Sequence, residues 1–167
     1  MKKNLPGRKP ILFLALALIF LSFSTNSCKK DTLILSDSDY LIFGHFYGEC
    51  MGEGCVEIFR LEKDQLLEDT RDIYPNGTDF YQGDYTLLSQ EKFQAVKELT
   101  DHFPQGLLEE TEKVIGQPDA GDWGGLYIEY NSGGIRKFWL VDQMKSNIPV
   151  KYHDFIDQVN DKISLLQ

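Results

Sequence analysis

Cys50 and Cys55, spaced by Met51-Gly52-Glu53-Gly54, carry the most distinctive chemistry in this sequence. Three glycines between Gly48 and Cys55 make a tight, adaptable loop that lets the two sulfurs meet. In an oxidising compartment the expectation is a disulfide, whose six-residue loop stabilises the fold by only about 2 kcal/mol. Its use is then to fix the shape of the loop. The same stretch carries a rival reading. Cys50, Cys55, Met51 and the nearby His45 are soft or borderline donors suited to copper or zinc. Against it, the four-residue spacing is not C-x-x-C, no second cysteine pair exists, and His45 lies in an apolar, strand-like run where a structural histidine is expected. No resident metal or cofactor is expected.

The acids Glu49, Glu53 and Asp122 are candidates for acid–base hydrolysis, provided that a cleft brings two of them to a suitable spacing. Asp119 and Asp122 share the loop Gly116–Gly125 with Trp123, but they lack the D-x-D-x-D-G register of a calcium loop. Trp123 beside these acids also suits a carbohydrate contact, and a plain turn with the indole covering the edge of the core explains it as well. Tyr47, Met51 and Trp123 form a candidate binding surface if their loops share one end of the domain, since aromatic residues on loops often anchor partners. Catalytic sets are missing. Ser89-Gln90-Glu91-Lys92 fits S-x-x-K without its companion motifs and is better read as a helix cap. His45, His102 and His153 are scattered outside any metal-binding frame, and no phosphate loop or nucleophile elbow is present. The reading therefore leans away from an enzyme.

The first 28 residues read as an address. Lys2, Lys3, Arg8 and Lys9 precede the apolar run Ile11–Phe23, which at 13 residues is too short for a spanning helix and suits an export signal. Ser24-Thr25-Asn26-Ser27 and then Cys28 follow. This stretch, with Lys29-Lys30-Asp31 after it, resembles bacterial lipoprotein precursors in the relaxed form common in bacteroidetes. Of the usual cleavage pattern only Ser27 matches well, because Thr25 stands where an aliphatic residue is usual. The resemblance implies cleavage after Ser27, acylation of Cys28, and anchoring in the outer membrane, facing the periplasm or the surface. Lys30-Asp31 resembles part of a surface-export signal, and Asp31-Thr32-Leu33 the O-glycosylation motif of the same bacteria. The membrane partner is then reached through the N-terminal lipid. The expected division is residues 1–27 signal, 28–39 acylated tether and 40–167 one domain.

The whole chain has a formal charge of −9 from 17 basic and 26 acidic residues. Loss of the four basic residues in the signal leaves 13 against 26, or −13. That balance excludes tracking a phosphate backbone, so nucleic acid is no partner. The partner expected is an envelope protein or glycan.

Strands are expected over Tyr40–Gly48 and Cys55–Glu62, joined by the cysteine loop, with shorter ones at Gln65–Arg71 and Asp79–Leu88. Ser89 caps a helix running to about His102 before Pro104. Ser132-Gly133-Gly134 joins Leu126–Asn131 to Ile135–Val141 in a hairpin. A last helix is expected from a cap at Asn147, burying Val150, Phe155, Ile156, Val159, Ile163 and Leu166. The order implies an α+β domain, an antiparallel sheet of four to six strands with two helices on one face. The layout also resembles small bacterial lipoprotein domains of uncharacterised function with a Gly-Cys hairpin near the start.

Overall fold

The computed structural model describes residues 33–167. The signal, Cys28, and the segment through Thr32 with its export and glycosylation motifs lie outside the described residues. The fold is α+β, as expected: a mostly antiparallel sheet with two helices. The strands are β1 (Tyr40–Phe46), β2 (Val56–Leu61), β3 (Leu66–Asp69), β4 (Tyr85–Leu87), β5 (Val114–Ile115), β6 (Gly125–Ser132) and β7 (Ile135–Asp142), in the order β4-β3-β2-β1-β6-β7-β5. Among the described residues the sheet has seven strands rather than four to six. The extra one is the two-residue β5, which pairs parallel with β7 and which no local pattern announces.

β1 is buried along its whole length because it lies mid-sheet with both faces covered. One face carries Leu41, Phe43, Phe59, Leu61, Leu126, Ile128 and Trp139 under α1 (Gln90–Val96) and α2 (His153–Leu166). The other carries Tyr40, Ile42, Phe46, Ile58, Tyr127 and Phe138 and is sealed by Tyr81, with Phe80 packed beside it. This second layer of side chains comes from the long loop between β3 and β4.

Ser89 caps α1 as expected, its Oγ accepting from Lys92 N at 3.3 Å. The chain tightens into a 3-10 turn at Lys97–His102 and leaves the helix before Pro104, which holds Phe103 extended. In the β6–β7 hairpin, Gly133 and Gly134 both take positive φ (60° and 82°), the backbone that a two-residue turn of this hand requires.

Two expectations are corrected. Asn147 does not cap the last helix. Its side chain donates to buried Asp142 at 2.8 Å, and the chain makes two 3-10 turns before α2 begins at His153. Val150 therefore falls outside the buried face and is 79% exposed, while the five later positions are buried. Nor is 33–39 a solvated tether. Leu33 is buried in the core, its N–H donates to Thr100 O at 3.3 Å, and Leu35 packs beside it while Ile34 points outward. Asp39 is buried too, accepting from Ser36 and from Ser132 Oγ.

Candidate functional site

Phe46 at the end of β1 pairs with Gly125 at the start of β6, so the cysteine loop and the Gly116–Gly125 loop emerge side by side. The condition set for Tyr47, Met51 and Trp123 is met: their loops share one end of the sheet. Cys50 and Cys55 form a disulfide, with Cα atoms 5.6 Å apart. Tyr47 N donates to Cys55 O at 2.9 Å and closes the base of the loop. His45 is buried, with its Nε2 3.1 Å from Gly54 O, and desolvation lowers its pKa. It is a structural histidine, as expected.

Asp119 ties the two loops together. Its Oδ2 accepts from Gly48 N (2.8 Å) and Tyr74 Oη (2.8 Å), and its Oδ1 from Gly124 N (3.1 Å). The pull of burial and of this carboxylate moves the Tyr74 hydroxyl up to about 12. Asp119, Gly121, Asp122 and Gly124 all take positive φ, a compact path that Asp and Gly tolerate best. Gly124 is also a close approach, since a Cβ there would lie 2.2 Å from Tyr47 Cε1. The half-buried Tyr47 ring thus rests on the second loop. Beyond it stand Met51, 99% exposed, and Trp123, 63% exposed. Trp123 does not cover the edge of the core.

The acids considered for hydrolysis do not converge. Glu53 lines a cleft of about 290 Å³ with Glu57, Glu68, Asp69 and Asp72, and neither Glu49 nor Asp122 reaches that wall. Burial first, then the charges of Glu68, Asp72 and Glu53, push the Glu57 pKa up. A raised folded pKa means that the fold holds this proton more tightly than the unfolded chain does. The stability that Glu57 contributes is therefore present at low pH and lost as pH rises through its folded pKa. Glu57→Gln is expected to stabilise the protein at pH 7 by about 0.5 kcal/mol, with the gain fading as pH falls into the carboxylate range. Thermal melts of both proteins at pH 7 and pH 4 measure this, and an equal gain at both pH values contradicts the attribution.

A polar centre that sequence reading missed lies in the middle of β6. Glu129 is fully buried and accepts from three donors: Tyr40 Oη (3.0 Å) and Arg136 Nε (2.8 Å) on Oε1, and Tyr127 Oη (2.5 Å) on Oε2. Tyr127 Oη accepts in turn from Tyr81 N, and Tyr81 Oη donates to buried Asp69 at 2.5 Å. Burial and Glu129 push Tyr40 up to about 12 and Tyr127 higher still, so these hydroxyls stay protonated donors at neutral pH. A signal was present in the hairpin. Asn131 faces Arg136 and Glu129 faces Phe138, which makes Glu129 and Arg136 diagonal neighbours on one face.

Among the described residues, no group of three or more His, Cys, Asp or Glu side chains is arranged to hold a metal ion. With both sulfurs in the bridge, the cysteine loop offers no thiolate. The chain matches no family model, no curated protein and no solved structure at a significant level.

Proposed function

We propose that this protein is a lipid-anchored lipoprotein of the bacterial cell envelope whose domain binds a protein or glycan without transforming it. One observation carries the reading: Met51 and Trp123 stand exposed on two loops that the disulfide and Asp119 hold in one shape. A pre-shaped aromatic anchor loses little conformational freedom on binding. The direction of the chain supports it. The chain enters the sheet at the start of β1, and the stapled loops lie at the far end of that strand, seven residues or about 20 Å away. Leu33 is docked on the domain five positions after Cys28, a reach of at most about 17 Å. An acylated Cys28 then holds the domain close to the outer membrane with the stapled end turned outward, toward the periplasm or the exterior. Several acyl chains on one residue supply the stable anchoring that a single chain lacks. Among the described residues, no helix is long and apolar enough to cross a membrane.

The test is co-purification from envelope extracts with acylated wild type and with Trp123→Ala. The proposal expects partners held by the wild type to be lost from the variant while its melting temperature is kept. Identical partner sets contradict it.

A further inference from the structure

A cavity of about 290 Å³ opens on the sheet face away from the helices, walled chiefly by Tyr40, Ile42, Arg60, Gln82, Tyr85 and Arg136. In a chain of net negative charge, two of its four arginines meet here, one from β2 and one from β7. Each guanidinium lies over the face of a ring. Arg60 Cζ lies 4.1 Å from the centroid of Tyr40, and Arg136 Cζ lies 4.0 Å from that of Phe80. A cation–ring contact restrains the group and does not use its terminal N–H donors. Both arginines meet their carboxylates through Nε, Arg136 on Glu129 and Arg60 beside Glu62, each at 2.8 Å. The Arg60 N–H is poorly directed at Glu62 and makes no hydrogen bond. Among the described residues, the buried side-chain polar atoms without a hydrogen-bond partner are Arg60 Nε and Tyr85 Oη, and both belong to this wall. Gly83 permits the arrangement, because a Cβ there would lie 2.6 Å from Tyr85 Cζ.

The unpartnered Tyr85 hydroxyl calls for a partner, and Arg60 Nε meets Glu62 as an ion pair without a hydrogen bond. Ile42 is the one aliphatic side chain on the wall, and the remainder offers guanidinium, hydroxyl and carboxamide groups. Guanidinium edges match a planar carboxylate, and the other groups match hydroxyls. The volume has room for one sugar ring. The geometry points to a binding subsite for a sugar carboxylate of monosaccharide size, its carboxylate on Arg60 and Arg136 and a ring hydroxyl on Tyr85. The subsite uses neither Trp123 nor the lipid, so it stands or falls apart from the stapled end.

Calorimetric titration of the intact protein with glucuronate, glucose, acetate and inorganic phosphate tests the assignment. Glucuronate is expected to bind at least tenfold more tightly than each of the other three. Arg60→Met is expected to weaken it at least tenfold, and Tyr85→Phe severalfold, with folded circular dichroism spectra for both. Arg60 is half-buried at the rim and Tyr85→Phe removes only an unpaired hydroxyl, so neither change threatens the fold. Absence of glucuronate binding, equal binding of glucose or phosphate, or unchanged affinity in Arg60→Met would each overturn the proposal.

Discussion

Gly44→Ala is expected to destabilise the domain by about 3 kcal/mol, at the upper end of what overpacking costs. Gly44 sits in the middle of the central strand, paired to Ile58 on one side and to Tyr127 on the other. A Cβ built there lies 2.0 Å from the carbonyl oxygen of Glu57 and 2.7 Å from the Cα of Ile58. These are backbone atoms, so no rotamer change relieves the clash and β1 and β2 must separate. Their separation would disturb the packing of Phe43 on Phe59 on one face and of Ile42 beside Ile58 on the other. Urea unfolding measures the loss. Gly54→Ala is the control, because that position has a negative φ and open space around it, and it is expected to be nearly neutral. A loss at Gly44 no larger than at Gly54 contradicts the close strand approach.

Arg136→Met is expected to cost about 2–3 kcal/mol, less than for a fully buried pair because the guanidinium is 41% exposed. Most of that cost comes from Glu129, which stays buried without its counter-charge and keeps two tyrosine hydroxyls as its remaining donors. Glu129→Gln in the same background removes the stranded acid and is expected to restore more than half of the loss. The four proteins form a double-mutant cycle in urea. Additive losses contradict the assignment of Arg136 as the counter-charge of Glu129.

The parts of this molecule that sequence reading recovers are those set by local chemistry. Aromatic and branched residues mark β1, apolar alternation marks β2, and apolar runs about a glycine turn mark β6 and β7. Ser89 and Pro104 bracket the first helix, and paired glycines turn the hairpin. The stapled end was legible for the same reason, since two cysteines among three glycines are a local motif. What stayed hidden depends on long-range partners. Asn147 has the residue type of a cap, but buried Asp142 claims its side chain. Leu33 reads as part of a polar tether until Thr100 and the core receive it. β5 gains its identity only from backbone pairing with β7. The arginine cavity needs β1, β2, β4, β7 and the loop before β4 together, and no spacing within any one of them announces it.

The mass of the N-terminal peptide of the native, membrane-extracted protein is the most direct test of the lipid anchor on which the proposed role rests. The account predicts a chain that begins at Cys28 and carries acyl groups, with Cys28→Ser abolishing both the acyl mass and the membrane fraction. A chain that begins at Met1, or a Cys28 recovered as a free thiol, would contradict it.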